Sequence, residues 1–436
     1  MRREHQGKRD GGGEGNVGTW LPITLRGVGL TLPGLDKPCY DFDEFAGAVL
    51  SGSCAITPLA RTGTPIRVAG QVPGDGDEHL VLPEKLLRRM TRASRFAHSA
   101  VTRALEDAGL TAGQISAGDA VLVVSSYQFA LPETIALFER FEREGPAAVA
   151  FDYWVSTAPA AIASGMATNL GLQIPTLSLT GGCSTSMRAF ELAASMVGRG
   201  EVDHAVVVGV DTPLEPLYLS ATGHPGRSGH HASSLSGDPS DVRPHDEHQT
   251  GNAPAEGAAA VVLGRPGHRG SRTFEGEFQA LSTRNGGRNP MGLGTPEPCA
   301  ADLARLLRGA GLSLRDLAFF CDFAEGNRQL EDFLCDTLSA LRRTLNDDEP
   351  LPLTSQEACF GHLPGAAGLL KVLASVLMLD QRRVAPTANL VTPYSRLPAQ
   401  PVAGEPAPIT DPARRTALTV GLSGGGDATS VLLRAV

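Results

Sequence analysis

Apolar runs alternate with amphipathic stretches along most of this chain. The runs at 120–125 (AVLVVS) and 203–211 (DHAVVVGVD) have almost no polar interruption, which is typical of strands buried on both faces of a sheet. Residues 88–110 instead carry apolar side chains at helical spacing, and Gly109 predicts the end of that helix. Strands that alternate with helices in this way predict an α/β layered fold.

The same signals predict the other elements. Further strands are predicted at 21–32, 174–179, 258–263, 273–282, 317–322, 352–354, 416–422 and 428–433. Further helices are predicted to open at 41–45, capped by Asp41, and to cover 132–144, 158–170, 187–194, 299–312, 327–346 and 369–379. Three regions are predicted to be irregular: a polar, Gly-rich and disordered tail at 1–18, a long surface loop at 50–82, and a Pro-, Ser-, Gly- and His-rich segment at 212–256.

The second half of the chain repeats the order of the first. A strand, a glycine turn and a helix surround Cys183, and the same three parts surround His362. Each unit is followed by a buried strand that ends in Asp, at 203–211 and at 417–427. We therefore predict an internal duplication, with an N-terminal half at 19–265 and a C-terminal half at 266–436, and with the two glycine turns facing each other.

Cys183 follows two glycines and precedes a helix. The glycines allow a sharp turn, and the N-terminal end of a helix favours a negative charge, so this position suits a thiolate nucleophile. The alternative is a buried cysteine in a strand-to-helix turn, because free cysteine is among the residue types most often buried.

Composition and charge narrow the functional classes. A net charge of −9, with no Lys/Arg-rich run, argues against nucleic-acid binding, and any patch that docks an acidic carrier protein has to be local. The seven cysteines lie far apart without a C-x-x-C pair, which favours a reducing cytoplasm and no zinc site. We see no apolar run long enough to span a membrane, and no motif for a metal, a nucleotide or a flavin.

Four motifs resemble, in order, those of the β-ketoacyl synthase family of the thiolase fold. They are the helix ending in ALEDAGL at 104–110, GCSTS at 182–186, RPHD with EGA at 243–258, and GHLPGAAG at 361–368. The resemblance runs from about residue 20 to the C-terminus. It implies a thiolase-like fold of duplicated βαβαβαββ halves in α/β/α/β/α layers.

The resemblance also implies roles for residues. Cys183 would take an acyl group from a thioester, and His362 would support it by a hydrogen bond. The oxyanion would be held by the Cys183 N–H and by an N–H of the C-terminal glycine turn, at Ser423, Gly424 or Gly425. Two further candidates for a supporting shell are Glu357 and Glu256. The family implies a homodimer, or a heterodimer with another ketosynthase-like chain, and an acyl donor on phosphopantetheine, carried by acyl carrier protein or coenzyme A.

The sequence departs from the family at three places. Glu325 stands where the family has the histidine of H-G-T-G-T, Glu357 stands where it has a lysine, and the C-terminal loop at 421–427 lacks both aromatic residues of the family pattern. Ionised carboxylates at 325 and 357 would repel a malonyl group, at a cost of about 4 kcal/mol for two charges about 4 Å apart. A protonated one could donate a hydrogen bond. The alternative is that both glutamates pair with arginines such as Arg328 and take no part in chemistry.

Three functions remain compatible with the sequence. The first is an acyltransferase that loads Cys183 and transfers the acyl group without malonyl decarboxylation, in polyketide- or fatty-acid-type metabolism. The second is a carbon–carbon bond-forming ketosynthase that uses Glu325 as base. The third is a non-catalytic partner of an active ketosynthase, similar to a chain-length factor; the presence of both Cys183 and His362 speaks against it.

Overall fold

The computed structural model describes residues 19–60, 63–149, 151, 153–225, 231–267, 274–286 and 292–436. The tail predicted at 1–18 lies outside these residues. The described strands are β1 Leu21–Thr31, β2 Ile56–Pro58, β3 Val68–Gly70, β4 Ala120–Ser125, β5 Thr176–Leu179, β6 His204–Asp211, β7 Gly257–Gly264, β8 Phe274–Arg284, β9 Leu317–Cys321, β10 Pro352–Thr354, β11 Arg383–Val384, β12 Gln400–Pro401, β13 Ala407–Pro408, β14 Thr416–Leu422 and β15 Asp427–Ala435.

Each predicted helix is present, and the described part of the chain has four further short α-helices at 84–87, 112–117, 216–222 and 357–360. The helix at 216–222 lies in the segment 212–256, so the prediction that this segment is irregular is wrong in part. The described α-helices are α1 Phe42–Ser51, α2 Glu84–Leu87, α3 Arg92–Asp107, α4 Ala112–Ala117, α5 Leu131–Glu144, α6 Ala161–Leu170, α7 Thr185–Gly198, α8 Pro216–Thr222, α9 Pro296–Gly309, α10 Arg328–Leu345, α11 Glu357–Phe360 and α12 Ala367–Asp380. Asp41 caps α1 as predicted, since its carboxylate accepts the Glu44 N–H. Of the helices in the described ranges, none is long and apolar enough to cross a membrane.

The central sheet contains two copies of one strand order. Its described strands run β12-β10-β9-β14-β15-β8-β1-β7-β6-β4-β5. The first half contributes β5-β4-β6-β7-β1, and the second half contributes the corresponding strands β10-β9-β14-β15-β8. Antiparallel pairing of β1 with β8 joins the two copies into one sheet. The predicted α/β class is confirmed, and the repeated strand order agrees with a duplicated fold; the bounds of the halves at 265 and 266 stay a prediction.

Helices α7 and α12 lie between the two halves of the sheet. One core cluster joins both helices to Val121 and Val123 of the first half and to Ala417 of the second. The opposite face of β4, with Leu122 and Val124, packs under α3 and α6 in a second cluster. A third cluster joins β9 and β14 to α9 and α10. Side chains of one strand thus enter two different cores, as expected where helices cover both faces of a sheet.

The crossing of α7 and α12 is close because of one glycine. A Cβ at Gly368 would lie 2.5 Å from the Met187 nitrogen, so no larger residue fits there without movement. The Ser186 hydroxyl also accepts a hydrogen bond from the Leu369 N–H, at 3.1 Å. The two central helices are therefore held together near their N-terminal ends, which is where the two glycine turns lie.

The prediction of a long surface loop at 50–82 is wrong in part. Strands β2 and β3 within it form an antiparallel pair, and Ile66 and Val68 are fully buried. The Gly70 N–H donates to the Pro254 carbonyl and the Ala55 N–H donates to the Cys359 carbonyl. The segment therefore packs against the chain around His362, a contact that its Gly and Pro content does not show.

Candidate active site

Cys183 lies in the turn between the edge strand β5 and α7. Gly182 has φ 82°, a conformation that favours glycine, and a Cβ there would lie 2.9 Å from the Ser423 side chain. The Ser423 hydroxyl accepts a hydrogen bond from the Ser184 N–H at 2.8 Å and donates one to the Gly181 carbonyl at 3.0 Å. The turn that carries Cys183 is thus tied to the hairpin between β14 and β15 in the other half.

His362 lies in the corresponding turn of the C-terminal half, before α12. Its backbone is fixed on both sides, because its N–H donates to the Ala253 carbonyl at 2.7 Å and its carbonyl accepts the Ala255 N–H at 2.8 Å. Its side chain is buried, and Nε2 lies 3.1 Å from the Cys183 Sγ. The two predicted site residues are therefore in hydrogen-bond contact across the two halves of the molecule.

Two carboxylates meet the other nitrogen of the same ring. His362 Nδ1 lies 3.0 Å from Glu357 Oε2 and 3.1 Å from Glu325 Oε2. Glu357 also forms an ion pair with Lys371 of α12, and all of these side chains are buried. We call Cys183, His362, Glu325, Glu357 and Lys371 the catalytic cluster.

Neither glutamate pairs with Arg328, so the arginine pairing in the alternative is wrong. Arg328 lies over the ring of Tyr394, 4.2 Å from its centroid, and donates to the Glu247 carbonyl. The cation that pairs with Glu357 is Lys371.

The pKa values of Glu325 and Glu357 shift in opposite directions because their charged neighbours differ. Burial raises the pKa of Glu325. For Glu357 burial has the same effect, but the charges of Lys371 and His362 outweigh it and lower the pKa to about 2. Glu357 is therefore a permanent anion at neutral pH, and Glu325 is the carboxylate that takes up a proton first.

The charge of the imidazole follows from these neighbours. Burial disfavours a charged ring, but the negative charges of Glu325, of the Cys183 sulfur and of Glu357, in that order, hold the pKa of His362 well above its ordinary value. The arrangement can therefore stabilise an imidazolium beside the Cys183 sulfur. A sulfur nucleophile, an imidazole on it and a carboxylate behind the imidazole form the arrangement that nucleophilic acyl transfer uses.

Two of the predicted supporting residues have other contacts. Glu256 binds Arg92, at 2.9 and 2.7 Å, and accepts the Val72 N–H, and it makes no described contact with the catalytic cluster. The Ser423 N–H donates to the Asp427 carbonyl at 2.8 Å, so this amide belongs to the hairpin. Gly424 and Gly425 stay the candidates for the oxyanion amide of that turn.

Lys371 is a site residue that sequence reasoning missed. It is the single charged residue between Ala367 and Leu379, a stretch that is otherwise buried and almost wholly apolar. A lysine in the interior of such a helix requires a buried partner, because an unpaired ammonium is costly away from water. That signal was present in the sequence, although it does not identify Glu357 as the partner.

Aromatic side chains beside Cys183 come from elements other than the C-terminal loop. Tyr127 follows β4 and Tyr218 lies on α8, and their rings meet edge to face with centroids 6.3 Å apart. Burial raises the pKa of Tyr218, and the charges of Cys183 and Glu325 act in the same direction. This places the phenol close to the cluster.

The chain matches a known family over most of its length. Residues 22–267 match the N-terminal domain model of β-ketoacyl synthase, and residues 278–391 match the C-terminal domain model. Granaticin polyketide putative β-ketoacyl synthase 1 of Streptomyces violaceoruber is 27% identical over 441 residues, which cover 94% of this chain and 97% of the relative.

Solved structures agree with this match. A β-ketoacyl synthase from Burkholderia phymatum STM815 has a TM-score of 0.81 at 22% identity, covering 95% of this chain and 100% of that one. A type II polyketide acyl-carrier protein in complex with its ketosynthase bound to the hexaketide gives 0.78 at 18% identity, covering 96% and 100%. At these identities the structures show the fold alone, which is thiolase-like as predicted. The two domain matches, which cover most of the sequence, show that the chain belongs to the β-ketoacyl synthase family.

Proposed function

We propose that this protein is an acyltransferase of its family that loads an acyl group onto Cys183 and transfers it without malonyl decarboxylation. The observation that carries the proposal is the use of the two His362 nitrogens. Nε2 faces the Cys183 sulfur at 3.1 Å, and Nδ1 faces two carboxylates at 3.0 and 3.1 Å.

This geometry supports a two-step transfer. With its proton on Nδ1, held by Glu357, His362 accepts the Cys183 proton on Nε2. The thiolate adds to the thioester carbonyl, and the intermediate collapses by breaking the bond to the donor thiol, which leaves with the proton from His362. In the second step, His362 takes the proton of the acceptor, the acceptor attacks the acyl-cysteine, and Cys183 is released with its proton.

The surroundings support stabilisation of charge at both steps. The imidazolium formed at His362 faces the permanent anion Glu357, which Lys371 in turn holds ionised. The oxyanion would lie between the Cys183 N–H and the amides of Gly424 or Gly425, which the Ser423 hydrogen bonds hold beside the nucleophile turn.

The same charges argue against decarboxylation. A malonyl donor brings a carboxylate, and the cluster already holds Glu357 as an anion and Glu325 as a second carboxyl. The resemblance assigns this step to two neutral histidine donors and a lysine, whereas here His362 is the only imidazole of the cluster and the Lys371 ammonium is occupied by Glu357.

Carbon–carbon bond formation with Glu325 as base is less well supported. Its Oε2 lies 3.1 Å from Nδ1, whereas the thiol lies against Nε2 of the same ring. The Asn252 side chain also hydrogen-bonds the Glu325 carboxylate, so the group is engaged before any substrate arrives. A non-catalytic role is less well supported because Cys183 and His362 are both present and lie within hydrogen-bond distance of each other.

The acyl donor and the partners follow from the family. We propose a thioester of phosphopantetheine, on acyl carrier protein or coenzyme A, with no bound cofactor. We also propose a dimer, either of two copies or with another ketosynthase-like chain. Its support is the free edge of β5, where Leu177 is exposed, and the exposed aromatic side chains of Phe151 and Trp154.

Intact-mass analysis after incubation with acyl- and malonyl-carrier proteins and acyl-coenzyme A tests the loading step. We expect a stable acyl adduct that disappears in Cys183→Ala. Cys54→Ala is the matched control, because Cys54 is the other half-buried cysteine and should leave the adduct intact. If no donor gives an adduct, both enzymatic functions fall.

Two further measurements separate the functions. Release of carbon dioxide from malonyl-carrier protein would contradict the proposed loss of decarboxylation. Glu325→Gln should keep transacylation, whereas a mechanism with Glu325 as base would lose its product entirely in this variant.

A further inference from the structure

A second buried histidine lies outside the catalytic cluster. His245 Nδ1 lies 2.9 Å from Glu331 Oε1, and its Nε2 lies 3.1 Å from Asp322 Oδ2. All three side chains have no exposed area. We call His245, Asp322 and Glu331 the buried trio; the proposed reaction does not use it.

The buried trio joins three separate segments. His245 lies in the segment between α8 and β7, Asp322 follows β9, and Glu331 lies in the first turn of α10. The Glu331 carboxylate also accepts the backbone N–H of His245 at 3.1 Å. His245 has φ 63°, a conformation that non-glycine residues rarely adopt, so these contacts hold it in place.

The segment that the trio holds is the one that carries Glu325. The Ala324 N–H donates to Asp322 Oδ1 at 2.6 Å, directly before Glu325. The Gly326 carbonyl, directly after it, accepts the Gly251 N–H at 2.8 Å. Glu325 is thus fixed from both sides, through Asp322 on one side and through the segment of His245 on the other.

We propose that the buried trio is a positioning device that holds the Glu325 carboxyl against Nδ1 of His362. Asp322 links the two ends of this device, because it lies 3.1 Å from the His245 ring and accepts the Ala324 N–H directly before Glu325. The proposal rests on the proposed roles of Cys183 and His362.

A role of this kind predicts an effect on the titration of the site. Glu325 faces Glu357 of α11, His362 of the turn before α12, Lys371 of α12 and Tyr218 of α8. When Glu325 loses its proton, it stabilises the imidazolium that accompanies the Cys183 thiolate. Alkylation of Cys183 should therefore rise with pH in a step of about three- to tenfold that belongs to Glu325.

The test measures the rate of iodoacetamide alkylation of Cys183 against pH, by peptide mass, in the Cys54→Ala background. This reaction needs no acyl substrate, so it reports on the position of Glu325 even if no donor acylates the protein. We expect Glu325→Gln to remove the step, His245→Phe to remove it as well, and the double variant to match Glu325→Gln within about twofold. A His245→Phe profile that keeps the step, or rate effects that multiply in the double variant, would overturn the proposal.

Two controls separate positioning from loss of stability. His98 is also fully buried, between the Ser94 carbonyl and Asn169, and His98→Phe should keep the step; if it removes the step equally, the proposal is wrong. If His245→Phe does not fold, the variant His245→Phe/Asp322→Asn/Glu331→Gln removes every charge of the trio. It should also lose the step, and retention of the step in this variant is the contrary result.

Discussion

In the described part of the chain, His245 and His362 are both buried and each faces two carboxyl groups, but they differ in which ring nitrogens face them. His245 places one carboxylate on each nitrogen, at 2.9 and 3.1 Å, and is sealed from solvent. His362 faces both of its carboxylates through Nδ1, which leaves Nε2 for the Cys183 sulfur. Because both ring nitrogens of His245 face carboxylates, this side chain links segments of the chain. Because Nε2 of His362 faces the Cys183 sulfur, this side chain can exchange a proton with the thiol.

The two histidine clusters also differ in their compensating charge. The catalytic cluster has a buried ammonium, Lys371, that balances Glu357. The buried trio has no such group; its cation is His245 itself, whose pKa is about 10 because the charges of Asp322 and Glu331 outweigh burial. The charge of His245 therefore stabilises the folded structure, whereas the proton of His362 lies where the proposed reaction needs it.

The largest expected effect comes from removing the free nitrogen. His362→Asn should lower the rate of acyl-Cys183 formation by about 10²- to 10⁴-fold, the usual contribution of a positioned proton acceptor. The measurement is the time course of the adduct by intact mass, with thermal unfolding to confirm that the variant is folded. Loading at the wild-type rate would show that the imidazole is not the base and would remove the distinction between the two histidines.

The next effect concerns the ammonium that one cluster has and the other lacks. Lys371→Met leaves Glu357 buried without its cation, and we expect the free energy of unfolding to fall by about 3–5 kcal/mol. Urea unfolding measures it. The double variant Glu357→Gln/Lys371→Met removes both charges and should recover most of the loss; if it is no more stable than Lys371→Met, the ion pair is not the cause.

The contacts that distinguish the two histidines cannot be predicted from the sequence, although much of the fold can. Strands such as β4 and β6 are unbroken apolar runs, and the turns at Cys183 and His362 each carry a glycine next to the candidate site residue, so the positions of the strands and the candidate nucleophile follow from local pattern. The pairing of β1 with β8 into one continuous sheet does not, because neither strand carries a signal for its partner.

The partners of the charged residues are the part that sequence could not supply. Glu325 and Glu357 were predicted as candidates by their positions in the motifs, but their common partner, His362 Nδ1, and the ion pair with Lys371 depend on how three segments pack. The contact of His245 with Glu331 joins residues 86 positions apart. A charged residue in a buried stretch of sequence predicts that it has a partner, but the identity of that partner depends on the packing of the folded chain.

The pH dependence of stability sharpens the comparison further. The pKa of His245 is raised from about 6.5 to about 10 in the folded protein, so its contribution is complete below pH 6.5 and is lost as pH rises toward 10. Between pH 7 and 9 we expect a loss of about 2 kcal/mol from this group.

Urea unfolding at each pH measures the loss from His245, as the difference between the wild type and His245→Phe/Asp322→Asn/Glu331→Gln. The same difference is measured in the Glu325→Gln background, where the trio no longer acts on His362 through Glu325, so that it isolates His245. Curves that stay parallel with and without the trio would contradict the assignment. At acid pH the sign is opposite for Glu357, whose contribution is present above about pH 4.5 and is lost as pH falls toward 2.

The smallest effect concerns Asn252, a neutral side chain beside the Glu325 carboxyl of the catalytic cluster. The hydrogen bond from Asn252 lowers the pKa of Glu325, against the larger effect of burial. Removing it with Asn252→Ala should therefore raise that pKa further. The step in the pH profile of Cys183 alkylation should move to higher pH, by less than the complete loss of the step that Glu325→Gln causes. Ser233→Ala is the matched control, because it removes the 2.8 Å bond from Ser233 to the Asn252 oxygen and leaves the amide on Glu325 in place. If both variants move the step equally, the Asn252 amide does not act on Glu325. The catalytic cluster then differs from the buried trio only in Lys371 and in the His362 nitrogen that faces Cys183.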